Sequence, residues 1–196
     1  VAGNESSVTW NLTQNNEDAV NPTYTLTISG IGAMKNFTVS SSNDDRPWSD
    51  FISSITKGVV TQGVTNVGDR TFYNCSNMTS VELADGIISI TGGAFENCTS
   101  LTSLALPNSL EKFGGNAFNG CTGLTGELVI PDSVREIKNW AFMNCTSISS
   151  VSIGKNVESI SASAFENCKS LKNVRNLHLQ FAVALFTQSL TVYSMK

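Results

Sequence analysis

The chain has 196 residues, of which 40% are hydrophobic and 14% charged, and it carries a net charge of −4 at pH 7. That charged share is well below the ~25% usual for soluble proteins, and Ser, Thr and Asn carry the polarity instead. The acidic balance argues against nucleic-acid binding, which concentrates Lys and Arg on one face, and the absence of a long apolar run argues against a membrane span. The chain starts at Val1 rather than Met, as expected of a mature or trimmed protein from which any export signal has been removed.

In chain order, residues 1–54 read as an N-terminal β cap. Val8 to Thr13 and Tyr24 to Ile28 alternate apolar and polar residues and are expected to pair as strands, with Asn15 to Pro22 as the loop between them. The segments Gly30 to Met34 and Pro47 to Phe51 follow, and Trp48 and Phe51 are expected to cover the first coil of what comes next. Asp44, Asp45 and Asp50 offer oxygens to a hard cation, but their spacing matches no calcium loop, so a solvated acidic loop is the expectation.

From residue 55 to 176 the chain repeats itself. Cys75, Cys98, Cys121, Cys145 and Cys168 fall at intervals of 23, 23, 24 and 23 residues, each closing a pentapeptide: TFYNC, AFENC, AFNGC, AFMNC and AFENC. Such a period defines a solenoid array before any element is assigned. Between the cysteines the apolar columns coincide. Met78, Leu101, Leu124 and Ile148 form one. Val81, Leu104, Leu128 and Val151, then Leu83, Leu106, Ile130 and Ile153, form two more, and Ile90, Phe113, Ile137 and Ile160 close the coil.

Period-two spacing predicts short strands at Ser80 to Leu83, Ser103 to Leu106, Glu127 to Ile130 and Ser150 to Ile153. Turns follow at Ala84 to Gly86, Pro107-Asn108, Pro131-Asp132 and Gly154 to Asn156. Second extended pieces are expected at Ile87 to Ile90, Leu110 to Phe113, Val134 to Ile137 and Val157 to Ile160. The Ala-Phe-x-x-Cys segment is expected to make a single helical or 3₁₀ turn. The third unit carries one extra residue between Gly123 and Glu127, which predicts a bulge at the start of its strand.

Five cysteines in such an array are expected to stay reduced. Equivalent residues in adjacent coils stack at about the ~4.8 Å strand spacing, but their parallel Cβ vectors leave the Cβ atoms too far apart for the ~3.5–4.5 Å that a disulfide needs. Buried structural thiols are the reading, since no zinc-ligand spacing accompanies them.

These residues resemble the leucine-rich repeats of the bacterial surface antigen A type, also called the Treponema-type leucine-rich repeat. The pattern A-F-x-x-C-x-x-L-x-x-v-x-I-P-x-s-v-x-x-I matches from about Ile55 to Leu171, with the proline kept only at Pro107 and Pro131. An incomplete earlier unit aligns Val60, Gly63, Val64, Val67, Thr71 and Phe72 with Leu83, Gly86, Ile87, Ile90, Ala94 and Phe95. The fold class expected is therefore an α/β repeat solenoid: a right-handed leucine-rich-repeat coil of short parallel strands with single helical turns, plus the N-terminal β cap. Residues 177–196 read as a degenerate last repeat and C-terminal cap. There Leu177, Leu179, Phe181, Val183 and Leu185 alternate, Phe186 is a displaced member of the phenylalanine column, and Leu190 to Tyr193 is a closing strand. The ending Val192-Tyr193-Ser194-Met195-Lys196 matches the family's V-Y-V-P-K only in part.

Catalytic constellations are not formed. His178, the single histidine, falls in the terminal cap with no nucleophile or carboxylate in register beside it. No glycine-rich phosphate loop occurs, and neither a cofactor nor a metal is expected. Asn-x-Ser/Thr sequons stand at Asn4, Asn11, Asn36, Asn74, Asn77, Asn97 and Asn144. In the repeats, the asparagines before cysteine are expected to bond backbone groups of their own coil.

What remains is surface. The outward column of the first strand holds Glu82, Ala105, Val129, Ser152 and Arg175, and that of the second holds Ser89, Lys112, Glu136 and Ser159, beside Ile88, Glu111, Arg135 and Glu158. Trp140 stands apart, because its equivalents are Arg70, Gly93, Asn116 and Ser163. It is either an exposed anchor, since Trp is enriched in hot spots, or a cover for the bulge of its own unit. Glu82, Lys112, Val129, Glu136, Trp140 and Arg175 are thus the candidate partner-binding residues. The resemblance implies a non-enzymatic secreted or cell-surface binding module for adhesion or protein-protein recognition, with a host matrix protein or another cell-surface ligand as partner. The alternative is a structural spacer within a larger surface protein.

Overall fold

A computed structural model describes residues 7–17, 20–176 and 191–192. Each repeat makes one coil with three sides, two built of strands and one of turns. The first side carries β1 (Thr9–Gln14), β2 (Tyr24–Ser29), β3 (Ile55–Val60), β5 (Ser80–Leu83), β8 (Gly126–Val129), β10 (Ile148–Ser152), β12 (Asn173–Arg175) and β13 (Thr191–Val192). The second carries β4 (Asn66–Val67), β6 (Ser89–Ile90), β7 (Lys112–Phe113), β9 (Glu136–Ile137) and β11 (Ser159–Ile160). All pairings between successive coils are parallel, so equivalent side chains stack one above the other.

On the first side the alternation sends Val81, Leu128, Val151 and Val174 into the core and leaves Glu82, Val129 and Arg175 outside. This side is two four-stranded sheets, β1-β2-β3-β5 and β13-β12-β10-β8, rather than one. The strand expected at Ser103 to Leu106 is absent. Thr102 N–H still reaches Thr79 O at 3.3 Å and Thr125 N–H reaches Thr102 O at 3.2 Å, but beyond Thr102 the ladder lapses until β8. The cause is the extra residue of the following unit. Gly126 takes φ +77° where β8 begins, and the register against β10 shifts between Ile148 and Ser150, the disruption a bulge imposes.

The third side corrects the helical expectation. In the unit around Phe95, Ala94, Glu96 and Cys98 donate their N–H groups to Thr91, Gly93 and Phe95 of the same coil, while Phe95 and Asn97 donate to Ala117 and Asn119 of the next. A helix would spend every N–H inside the coil. Here alternate donors tie the coils together. The outer two of these linked turns have φ near +60° at their third position, as a type II turn requires: Arg70, Gly93, Asn116, Trp140 and Ser163 in one column, and Asn74, Asn97, Gly120, Asn144 and Asn167 in the other.

Behind this side the core is a stack of rings. Phe72, Phe95, Phe118, Phe142 and Phe165 lie nearly parallel, with centroids 5.0 to 5.3 Å apart. The cysteines are buried and unpaired. Each Sγ–H of Cys98, Cys121, Cys145 and Cys168 donates to the carbonyl of the phenylalanine in the preceding coil, at 3.1 to 3.2 Å. A small apolar residue that also donates one weak hydrogen bond fits the site.

At the amino-terminal end, β1 pairs antiparallel with β2, which joins β3 in parallel. The first coil has no preceding turn ladder to bond its carbonyls, and the segment before β3 supplies substitutes. Phe37 N–H donates to Asp69 O at 3.0 Å, Trp48 Nε1–H to Thr71 O at 3.2 Å and Arg46 Nη1–H to Tyr73 O at 2.7 Å. These carbonyls correspond to Gly92, Ala94 and Glu96 one coil on, which accept from Arg70, Phe72 and Asn74. Arg46 is only 3% exposed and pairs with Asp44 at 2.5 Å. Trp48 is buried as expected, but Phe51 is 38% exposed and sets its ring edge-on to Tyr24 rather than over the first coil.

At the far end β13 lies parallel to β12, inside the expected closing segment. The remaining expectations there, the alternation from Leu177 to Leu185, Phe186 and His178, lie outside the described residues, as does the sequon at Asn4. Among the described residues no helix is long and apolar enough to cross a membrane.

Candidate functional site

The coil geometry divides the six candidate residues between two surfaces. Glu82, Val129 and Arg175 hold equivalent outward positions on the first side; Val129 and Arg175 are in register through Ser152, while Glu82 lies in the other sheet. Val129 is 55% exposed at its centre. Lys57 Nζ meets Glu82 at 2.6 Å toward the amino-terminal end, and Arg175 reaches back across β10 to Glu127 at 3.4 Å. The outcome is a run of uncharged outward residues, Ser103, Ala105, Val129, Ser150 and Ser152, with the Lys57–Glu82 pair at its amino-terminal end and the Glu127–Arg175 pair alongside it across β10. Lys57 and Glu127 were not singled out from sequence, although aligning the incomplete first unit places Lys57 in the outward column beside Val59.

Lys112, Glu136 and Trp140 form the second group. Lys112 and Glu136 are adjacent partners in β7 and β9. Glu136 and Trp140 line one shallow groove of ≈ 250 Å³ with Gly115, Asn116, Lys138, Asn139 and Ser161. Trp140 is 44% exposed, with part of its surface open to that groove. Its φ of +60° places a bulky aromatic residue where other coils carry Arg70, Gly93, Asn116 and Ser163, a conformation that costs an L-residue roughly 1–2 kcal/mol.

Two further ion pairs link neighbouring coils along the solenoid. Arg135 meets Glu158 at 2.8 Å and Lys155 meets Asp132 at 3.0 Å. Backbone and side-chain bonds from Lys155 hold the Asp132 carboxyl below its ordinary range. The acidic loop is likewise engaged: Asp44 is lowered chiefly by the Arg46 hydrogen bond and Asp45 by the Thr38 N–H and Lys35. Among the described residues no group of three or more metal-ligating side chains comes together. Burial pushes the Cys75 and Cys168 thiols up to about 12 and moves Cys98 and Cys145 in the same direction, which suppresses the nucleophilic thiolate.

The repeat asparagines do not bond their own coil as expected. Asn97 Nδ2 donates to Asn74 Oδ1 at 3.0 Å and Asn167 Nδ2 to Asn144 Oδ1 at 3.1 Å. Gly120 interrupts the ladder, and Asn119 Oδ1 accepts from Asn144 Nδ2 in its place. A single coil read alone cannot reveal a bond whose partner is the same residue 23 positions away.

Stacked coils of short parallel strands and linked turns, with an inward phenylalanine and cysteine per coil, define a leucine-rich-repeat solenoid. Residues 51–172 match the BspA type Leucine rich repeat region in six copies, and the chain belongs to that family. It is similar to a leucine-rich repeat protein of Eubacterium ventriosum, 32% identical, with a TM-score of 0.68 over 76% of this chain and 38% of that one. The T. pallidum Leucine Rich Repeat protein is 28% identical, with a TM-score of 0.63 over 86% of this chain and 79% of that one. The pneumococcal vaccine antigen PcpA shares the fold at 22% identity and a TM-score of 0.60, covering 74% of this chain and 36% of its own. This chain therefore spans well under half the length of the E. ventriosum protein. No curated protein matches the sequence.

Proposed function

We propose that this chain is a non-enzymatic recognition module of a secreted or cell-surface bacterial protein, which binds a protein partner such as a host matrix protein through the outward face of the first sheet side. Residues 1–54 and 177–196 serve as its caps and 55–176 as the binding array. The uncharged outward run through Ala105, Val129 and Ser152, with the Lys57–Glu82 pair at one end and the Glu127–Arg175 pair at its flank, carries this reading. Protein interfaces place charge-depleted patches at their centre and charges at the rim, and solenoids use extended faces of this kind. Membership of the BspA type leucine-rich-repeat family supports it.

The experiment is binding to a panel of immobilised matrix proteins. Val129→Arg, at the strip's centre, is expected to reduce binding at least tenfold. Glu82→Arg, at the rim, should change mainly the salt dependence, and Trp140→Ala should leave binding unchanged. Loss with Trp140→Ala alone would move the site to the second group. The pairing of charges within the array favours the spacer reading as second choice, and wild-type binding to nothing on the panel would support it.

A further inference from the structure

The amino-terminal end of the first side carries a strand with one bare edge. In the described residues β1 is the outermost strand of its sheet, paired on one side only. Ser7 N–H donates to Ile31 O and Asn15 N–H to Thr23 O, so the odd-numbered residues between them turn their main-chain groups toward β2. By the alternation of antiparallel ladders, Val8, Trp10, Leu12 and Gln14 turn theirs outward.

Natural sheets protect such edges with lysine, proline, bulges or covering loops. The strand Thr9-Trp10-Asn11-Leu12-Thr13-Gln14 has no charge, no proline and no bulge. Its side chains divide cleanly. Trp10 and Leu12 stand opposite the buried Ile28 and Leu26, on the core-ward face, while Thr9, Asn11 and Thr13 are exposed on the other. Trp10 is nevertheless 43% exposed, its ring edge-on to Trp48 at 5.7 Å, at the mouth of an apolar cleft of ≈ 390 Å³ shared with Met34, Phe37 and Pro47.

We propose that β1 pairs with β1 of a second copy of this chain, antiparallel about a two-fold axis at Asn11, to make one continuous sheet across a homodimer. The sequence is self-complementary in that register, which engages all four outward residues from Val8 to Gln14. Val8 faces Gln14 of the second copy and Trp10 faces Leu12, each pair exchanging two main-chain hydrogen bonds, and both pairs recur by symmetry. On the opposite face Thr9 meets Thr13, and Asn11 meets Asn11. No like charges oppose. Leu12 of each copy covers the exposed part of the other's Trp10, an aromatic–aliphatic cross-strand pair. A shift of one pair places Leu12 on Leu12 but leaves Val8 facing Asn16, beyond the strand's end. The contact is isologous and closed, so it stops at two copies. An edge contact of this length falls below the roughly 1,200 Å² of stable complexes, so association is weak and depends on concentration. This proposal is independent of the partner face on the array.

The test is a cysteine at the symmetry axis. The native thiols are all buried, so Asn11→Cys introduces the one accessible sulfur among the described residues, at a non-hydrogen-bonded pair where Cβ atoms approach closely. Under mild oxidation the full chain carrying Asn11→Cys is expected to form a disulfide-linked dimer at least tenfold faster than Thr122→Cys, an exposed position on a distant turn. Adding Leu12→Lys should return that rate to the control. Sedimentation of the wild type should show a mass rising with concentration from 20.9 kDa toward twice that value. Because Leu12 is partly buried, Gln14→Pro serves as a second breaker, and retention of the wild-type thermal midpoint certifies each variant. A wild type that remains at 20.9 kDa throughout overturns the proposal. So does a dimer in which Asn11→Cys crosslinks no faster than Thr122→Cys, which would place the contact elsewhere.

Discussion

Replacing Trp140 tests whether the third side is built of turns with left-handed corners. At an ordinary extended or helical position, Gly is less stable than Ala by roughly 0.5–1 kcal/mol, because it gives up more backbone freedom on folding. At φ +60° the ordering should invert. Ala at position 140 retains the left-handed penalty of roughly 1–2 kcal/mol that any L-residue bears, whereas Gly does not. Subtracting the entropic cost leaves Trp140→Gly more stable than Trp140→Ala by about 0.5–1 kcal/mol. Both variants remove the same indole, so its partial burial cancels from the comparison. In a chain of this size that difference corresponds to a thermal midpoint about 1–4 °C higher for Gly. Urea denaturation followed by circular dichroism, with equal slopes for the two variants, is the assay. If Ala equals or exceeds Gly, the corner is not left-handed and the turn ladder as described is wrong.

Four further outcomes test other parts of the fold. Arg46→Met should destabilise by ~3–5 kcal/mol, because it strands the Asp44 carboxylate and the ladder carbonyl of Tyr73; denaturant titration measures it, and a loss under ~1 kcal/mol would contradict the sealing role. Stability should fall in acid as Asp44 is titrated. Its folded pKa is depressed by Arg46, so its contribution is present above the unfolded value near ~3.9 and is lost as pH drops through the lower folded value; the Asp44→Asn variant should lack that dependence. In base the sign reverses. Cys75 and Cys168 are raised from 9.0 to about 12, so their contribution is complete below 9.0 and lost as pH climbs toward 12; a thiol reagent should therefore label the native thiols only as fast as the coils open. Gly126→Ala, where nothing lies within 4 Å of the added methyl, should still cost about 0.5–1 kcal/mol, the left-handed penalty at φ +77° less the entropy that the glycine loses on folding, read as a shift in the urea midpoint.

The columns Val81, Leu128, Val151 and Ile90, Phe113, Ile137 were legible because period-two burial and a fixed repeat length constrain each other. The extra residue of the third unit was legible for the same reason, and it brought down a neighbour that looked regular. Ser103 to Leu106 has the right pattern, but strand formation depends on the coil next to it, whose register the insertion shifts. The Ala-Phe-x-x-Cys turn misled in a different way. Its spacing suits one turn of helix, and the signal against helix lies in the Asn and Gly column before cysteine, residues that tolerate positive φ. Trp140 hid that rule on the other corner by occupying a place where only Gly93 and Asn116 obey it. On the candidate surface, the division of the outward positions between the first and second strands was legible, but the ion pairs that Lys57 and Glu127 make with Glu82 and Arg175 were not, because they depend on which side chains of separate coils come within reach.

Arg46 reads in sequence as a solvated charge, and its burial follows from an accounting that only the array imposes. Every coil lends alternate N–H groups to the coil after it, so the first coil begins with carbonyls that nothing in the repeat can serve. Buried carbonyls left unpaired would cost ~1–3 kcal/mol each, which is reason enough to bury a guanidinium beside Asp44 and an indole N–H at Trp48. Once these are filled, the turn side of the amino-terminal end presents no ladder to a further coil. The strand side of the same end does, through the outward groups of Val8, Trp10, Leu12 and Gln14. Lateral pairing at β1, rather than continuation of the solenoid, is therefore the association that this end of the molecule leaves open.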